Sequence, residues 1–281
     1  MRIEDYDTNE RFTAKVVSSE RLTPPESEAE VREIVLELSQ DMDLQVGRSI
    51  GVLAPGQSEF GQSEHLRLYS VASVPEGKHR LSIAVRRCWY IDDYSGERHP
   101  GVASNYLCDA KPGDTINLTG PFGLPFEVPS DPDADLVMIA TSTGIAPFRA
   151  FVRHLYEEHP EWTGRIWLFY GGRSGLDLAY LNDERDDFAQ YYDKPTFEAF
   201  TALSARPHWS RRIDWDKAVG DRGAELWHML QSPRTVVYVA GLESVSDELD
   251  VVFEGLAGSE EEWQRRKAEL TAGGRWVELL Y

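Results

Sequence analysis

The sequence predicts two domains: an antiparallel β-barrel over residues 1–128, then a doubly wound α/β domain with a parallel sheet over 135–281. Three observations carry this. Up to about residue 120 the apolar residues alternate with polar ones in short runs broken by Gly, Pro and Ser, the pattern of half-buried antiparallel strands. The segment PSDPDAD (129–135) forms a polar, proline-rich joint. Beyond it, charge-poor apolar runs alternate with helical patterns, as in a parallel sheet covered on both faces.

In the first domain the strand candidates are RFTAKVVSSERL, EVREIVLELS, SIGVLAP, LRLYSVAS, RLSIAVRRCWY and DTINLTGP. One helix candidate, SNYLCDA, precedes the turn Lys111-Pro112-Gly113-Asp114. In the second domain the strands are DLVMIA, RIWLFYGG, TFEAFTALS and TVVYVAG. The intervening helices are FRAFVRHLYEEH, AYLNDERDDFAQYY, DRGAELWHMLQ and SDELDVVFEGL. No internal repeat interrupts either half.

Composition narrows the function. A formal net charge of −19, from 48 acids against 29 bases, repels nucleic acid and anionic membranes. It reads either as avoidance of acidic partners or as solubility, including adaptation to high salt, where self-repulsion is screened. Only six of the bases are lysine. No apolar run approaches the ~18 residues of a membrane span, and the start MRIEDYDTNE lacks a signal-peptide layout. Two cysteines, Cys88 and Cys108, sit in no CxxC pair, and seven histidines show no zinc spacing. A cytoplasmic, metal-free protein is expected.

Two segments carry chemistry. Arg67-Leu68-Tyr69-Ser70 places a guanidinium, an aromatic plane and a hydroxyl on one strand. An arginine fork clamps a phosphate, a tyrosine stacks on a flat heterocycle, and a hydroxyl reaches a ring nitrogen. A flavin dinucleotide uses all three. The first β–α junction of the second half reads Ala140-Thr141-Ser142-Thr143-Gly144-Ile145-Ala146-Pro147. Such junctions hold pyrophosphate on helix N–H groups, although GxGxxG is absent here.

With GRSIGVL, RLYSVAS, IAVRRCWY, GVASNYLCDAKPGD, TGPFG, ATSTGIAPFRAF, WLFYGG, AGLES and a terminal tyrosine in order, the chain resembles the plant-type ferredoxin–NADP reductase family over nearly its whole length. The resemblance implies an FAD-binding barrel and an NADP-binding domain. It implies hydride exchange between NADP(H) and flavin, and single-electron exchange with a ferredoxin or flavodoxin. By position, Arg67 would hold the FAD pyrophosphate, Tyr69 would stack on the isoalloxazine, Ser70 would bond near N5, and Leu68 lies between them. Ala84, Val85 and Arg86 would form the second flavin strand, and Tyr90 would cover the adenine. Val102, Ala103 and Ser104 would meet the pyrophosphate with backbone N–H groups and a hydroxyl. Thr143, Gly172, Arg173, Gly241 and Leu242 would line the nicotinamide dinucleotide. Tyr281 would stack on the opposite flavin face and move aside for nicotinamide.

The chain departs from the family at the nicotinamide end. The family's cysteine is Ala240 and its C-terminal glutamate is Leu279, with Glu278 one step earlier; Ser142 replaces a glycine and Glu243 a lysine. Ser204, Arg206 and Arg211, with Arg212 beyond, are left to read a 2′-phosphate and favour NADP(H) over NAD(H). The family's stacking tyrosine is missing, and Ile213, Asp214 or Trp215 would stand in its place. For an acidic carrier, Lys78, His79, Arg80, Arg86 and Arg87 offer a local basic patch. The alternatives are an NAD(P)H-dependent reductase component of an oxygenase system and a flavin-binding regulatory module with little turnover.

Overall fold

The computed structural model describes residues 8–42, 46–57, 63–73, 79–123, 126–209 and 212–281. The chain divides into two compact units, Met1–Leu124 with Arg149–Phe151, and Pro125–Phe148 with Val152–Tyr281.

In the first unit β1 (Arg11–Arg21), β2 (Val31–Leu38), β3 (Arg48–Pro55), β4 (Glu64–Ser73) and β5 (Arg80–Arg86) lead to a small hairpin of β6 (Trp89–Ile91) and β7 (Arg98–Pro100). Helix α1 (Val102–Asp109) and β8 (Thr115–Gly123) follow. Six of these strands close into an antiparallel barrel in the order β1-β2-β5-β4-β3-β8. Alternation drives the closure: Ala14, Val16, Ile34, Leu36, Ile50, Val52, Leu81, Ile83, Ile116 and Leu118 all turn inward. The expected single strand RLSIAVRRCWY is broken. Arg87 N–H bonds Glu30 O at 2.9 Å and Cys88 N–H bonds Ser104 Oγ at 3.1 Å, so two residues leave the ladder before β6 begins.

In the second unit β9 (Leu136–Thr141), α2 (Ile145–Glu158), β10 (Ile166–Gly172), a short pair β11 (Leu181–Asn182) and β12 (Arg185–Asp186), and β13 (Phe197–Leu203) come first. Then come α3 (Trp215–Val219), α4 (Gly223–Gln231), β14 (Val236–Gly241), α5 (Ser244–Ala257), α6 (Glu260–Ala272) and β15 (Trp276–Leu280). The sheet is parallel, ordered β13-β10-β9-β14-β15. One face, with Val137, Ile139, Trp167, Phe169, Val237 and Val239, packs against α4, α5 and α6 through Leu226, Phe253 and Trp263. On the other face Tyr238 meets Phe126, which meets Phe148 of α2.

Two helical expectations are corrected. Residues 179–192 form no α-helix. The Asn182 side chain accepts Glu184 N–H and Arg185 N–H, Asp186 accepts Phe188 N–H, and Tyr180 has φ 63°. Short polar side chains that bond their own backbone outcompete helix formation. Conversely, α6 was not anticipated, because only Trp263 and Leu270 of its residues are buried and its apolar stripe is thin. Its signal lies at the start: Ser259 accepts Glu262 N–H, with three glutamates in the first turn.

The sheet closes tightly where β9 and β14 end. A Cβ on Gly144 would lie 2.1 Å from Ala240 O, and one on Gly241, at φ 147°, would lie 2.0 Å from Thr141 Oγ1. Gly144→Ala is therefore expected to destabilise the protein by about 2–3 kcal/mol through overpacking. Gly255→Ala, in an exposed turn of α5 with open space around it, is expected to stabilise it by about 0.5–1 kcal/mol. Chemical denaturation of both variants checks the contrast.

Candidate functional site

The first candidate site lies in the barrel wall. Strand β4 pairs with β3 from Ser70 back to Glu64. Among the described residues its ladder with β5 holds only Val71↔Ile83 and Ser73↔Ser82, with a bulge between them. Meanwhile β5 pairs with β2 through Ala84, Val85 and Arg86. The strands β4 and β5 therefore part between Tyr69-Ser70 and Ala84–Arg86. Backbone groups along the gap have no strand opposite, which suits a flat heterocycle edged with donors and acceptors.

Arg67 is exposed, and Tyr69 packs partly against the barrel core. Burial pushes the Tyr69 phenol well above its usual pKa, so it stays neutral and presents a ring rather than a charge. Burial and the Arg67 charge hold His65, two places along the strand, below its usual value. Ala84 and Val85 are buried, so their side chains are not open to a ligand. Helix α1 starts at Gly101 with no side-chain cap and no acid in its first turn, leaving Val102 and Ala103 N–H groups for an anion. A Cβ on Gly101 would press to 2.9 Å from Ser104 Oγ. The Ser104 hydroxyl is already engaged: it accepts Cys88 N–H and donates to Gly101 O at 3.3 Å.

The β6–β7 hairpin carries two aromatics. Trp89 and Tyr90 are both about half exposed, so neither is a core residue. Tyr90 stacks on His99 at 5.3 Å, while Arg98 lies 4.6 Å from the Trp89 ring centroid. The pairings Trp89↔Pro100 and Tyr90↔His99 put the two aromatics on opposite faces of a two-stranded ribbon.

The second site lies at the strand ends of the sheet. In chain order the strands are arranged 3-2-1-4-5, so the order reverses between β9 and β14. Open parallel sheets bind ligands outside such a reversal. Here Thr141 Oγ1 accepts Leu242 N–H at 3.0 Å, and Tyr170 donates to Ser142 O at 2.9 Å. Ser142 sits at φ 52°, a conformation glycine adopts at no steric cost. Tyr281 N–H bonds Gly241 O at 3.0 Å, and its hydroxyl lies 2.5 Å from Thr143 Oγ1. Thr143, Gly241, Leu242 and Tyr281 are thus brought together. Ala240 and Leu279 are register partners on β14 and β15, so an apolar pair stands at that end. Glu278 turns away, accepting Trp276 Nε1–H at 2.6 Å and lying 3.7 Å from Lys267 Nζ.

Gly172 ends β10 and Arg173 follows it, while Ser204 and Arg206 follow the end of the neighbouring strand β13. Ser204 N–H bonds Arg173 O at 3.3 Å, Arg206 N–H bonds Ser204 Oγ at 3.3 Å, and Arg173 lies 3.9 Å from Asp177. Arg211 lies outside the described residues. The stand-ins for a stacking tyrosine are otherwise occupied: Trp215 is buried against Gly171 and bonds Glu248, Ile213 crowds Gly171, and Asp214 caps α3. The basic patch is largely neutralised. Arg87 binds Glu30 and Asp109, each at 2.9 Å, Arg80 lies 3.5 Å from Glu37, and His79 lies 3.8 Å from Asp41. Lys78 lies outside the described residues.

Known proteins resemble both halves of the chain. Residues 23–126 match an oxidoreductase FAD-binding domain and residues 138–248 an oxidoreductase NAD-binding domain. The ferredoxin–NADP reductase of Synechocystis sp. is 33% identical over 96% of this chain and 68% of its own length. That of Spirulina sp. is 31% identical over 96% and 95%, and the chloroplastic leaf isozyme 1 of Arabidopsis thaliana 31% over 96% and 77%. A solved ferredoxin–NADP+ reductase from Plasmodium falciparum shares the fold, with TM-score 0.72 and 21% identity over 99% of both chains. With this degree of identity over almost the whole sequence, the chain belongs to the ferredoxin–NADP reductase family.

Proposed function

We propose that the protein is a ferredoxin–NADP reductase, with FAD held by the barrel domain (1–128) and NADP(H) by the sheet domain (135–281). The carrying observation is the parting of β4 from β5 beside Arg67 and Tyr69. FAD supplies the conversion between hydride transfer with NADP(H) and single-electron exchange with a carrier.

The protein's own part is positioning. The Arg67 guanidinium and the Val102 and Ala103 N–H groups bind pyrophosphate, with Ser104 bracing the α1 terminus through Gly101 and Cys88. The Tyr69 ring would stack on the isoalloxazine. Ser70 and the Ala84, Val85 and Arg86 backbone address its polar edge, and Tyr90 takes the adenine. On the sheet domain, Thr143, Gly172, Arg173, Gly241 and Leu242 line the dinucleotide, while Ser204, Arg206 and Arg211 read its 2′-phosphate. Tyr281 covers the Thr143 end, and nicotinamide must displace it. Ala240 and Leu279 add no proton donor there; catalytic roles are assigned to the hydroxyls of Ser70 on the barrel domain and of Tyr281 on the sheet domain.

The carrier is a ferredoxin, as the relatives' names indicate. Such carriers are acidic, and so is this chain, at −19. With His79, Arg80 and Arg87 lying against acids, encounter is opposed by repulsion.

Arg67→Ala is expected to weaken FAD retention by about 10- to 100-fold, the worth of a charge-assisted hydrogen bond. Reconstitution of the apoprotein, followed by flavin fluorescence, measures it; unchanged affinity counts against the pyrophosphate role. Tyr281→Phe loses the hydroxyl bond to Thr143, worth about 0.5–1.5 kcal/mol. It should therefore lower the KM for NADPH severalfold, as steady-state reduction of an artificial acceptor would show. Ferredoxin reduction should speed up as salt rises from about 0.01 to 1 M, because the screening length falls from about 30 to 3 Å. A rate that falls instead would reveal an attractive basic docking surface.

A further inference from the structure

The Arg87 guanidinium divides itself among three parts of the barrel domain. Nε donates to Glu30 Oε2 at 2.9 Å, Nη1 to Asn105 Oδ1 at 3.0 Å and Nη2 to Asp109 Oδ1 at 2.9 Å. Glu30 immediately precedes β2, while Asn105 and Asp109 lie on α1. The Arg87 side chain is only 18% exposed, so these bonds take it out of the outward-facing charge. Burial works against the charge on Glu30, yet hydrogen bonds from Arg87 and Arg32 hold its carboxyl below the usual range, and the pair stays ionised near neutral pH. A planar fork of fixed donors can span three acceptors in this way; a lysine ammonium, a point charge on a flexible stem, cannot.

Where these bonds stand gives them their use. The β2–β5 ladder ends at Val31↔Arg86, and the chain leaves the barrel wall at Arg87. Among the described residues β6 and β7 pair only with each other, so no ladder holds their hairpin to the wall. It is held at its feet instead. Gly101 N–H bonds Cys88 O at 3.0 Å. The Asn105 side-chain amide donates to Cys88 O at 2.9 Å and to Gly101 O at 2.8 Å. Asn105 therefore staples the hairpin base to α1, and Arg87, by taking the Asn105 oxygen, aims that amide. Through Glu30 the same arginine ties hairpin and helix back to the barrel, where Arg32 of β2 donates to Glu30 at 3.1 Å. By contrast, Tyr69, Ser70, Ala84 and Val85 sit on strands held by their own ladders.

We propose that Arg87 is a positioning residue for the adenosine monophosphate half of FAD, and that it sets the protein's preference for the dinucleotide over flavin mononucleotide (FMN). This rests on the FAD-binding role given above to the barrel domain. That role puts pyrophosphate at the Val102 and Ala103 N–H groups and adenine at Tyr90, on the two elements that Arg87 locks together. It puts the isoalloxazine at Tyr69 and Ser70, on strands whose ladders do not use the Arg87 side chain. Arg87 acts through Asn105 and α1, without a contact of its own to the ligand. When it is removed, helix and hairpin are no longer fixed relative to each other, and ordering them on binding subtracts from affinity.

The test titrates the full chain, stripped of flavin, with FAD and separately with FMN, which lacks the adenosine monophosphate half. Flavin fluorescence reads both affinities. Arg87→Gln should weaken FAD by about 10- to 100-fold, the worth of hydrogen bonds to charged groups, and FMN by much less, so the preference for FAD falls. Arg87→Lys should behave like Arg87→Gln, because it keeps the charge and loses the fork. Asn105→Ala leaves both acid contacts of Arg87 in place and should show the same selective loss; it carries the test if Arg87→Gln does not fold. Equal weakening of FAD and FMN would mean that Arg87 supports the barrel at large, and would overturn the proposal. So would wild-type FAD affinity in Arg87→Lys, which would reduce the effect to charge alone. If Arg87→Gln and Asn105→Ala hold FAD as tightly as the wild type does, the proposal fails while the FAD reading stands. If the wild type itself takes up no flavin, both fail.

Discussion

The contact of backbone on backbone at the ends of β9 and β14 is the constraint on which the sheet domain depends. Neither Gly144 nor Gly241 can carry a side chain, since Ala240 O and Thr141 Oγ1 occupy the space. Their closeness lets Thr141 reach the Leu242 N–H and lets Tyr281 bond both Gly241 O and Thr143. It also fixes where α2 begins, and hence the direction in which its first N–H groups point. Push these two strand ends apart by the width of a methyl group and each of those distances is lost together. The site is therefore set by sterics first and by hydrogen bonds second.

Much of this was legible in the residues. Alternation marked the barrel strands, and charge-poor runs marked the parallel sheet, because burial on one face or on both leaves different periodicities. Three things escaped. Asn182, Asp186 and Tyr180 turned a helix-like stretch into turns, a local competition that apolar spacing does not register. Helix α6 is held by a serine cap and ion pairs such as Lys267 with Asp250, so its apolar stripe is sparse. At the site, the motif Arg67-Leu68-Tyr69-Ser70 was visible, but the parting of β4 and β5 was not, since it arises from where two other ladders end.

The charge balance also reads differently once the arginines are placed. Most of the surface arginines described are paired with a nearby acid: Arg11 with Glu64, Arg80 with Glu37, Arg153 with Glu157, Arg222 with Glu198 and Arg265 with Glu262. Exposed pairs of this kind add little stability each, about 0–1 kcal/mol. Their larger effect is to remove cations from the outward field, leaving the excess acid to set the long-range potential. Local positive charge therefore counts most where an arginine stands away from any acid.

The gap between β4 and β5 has a consequence for the protein's life before it works. A barrel wall with two strands apart is an incomplete sheet, and its open rungs are the kind of edge on which one chain templates another. With FAD seated there as proposed, the prosthetic group serves as the missing strand, and its binding energy adds directly to folding stability. The holoprotein would then resist unfolding and proteolysis more than the apoprotein, by an amount that grows with free FAD.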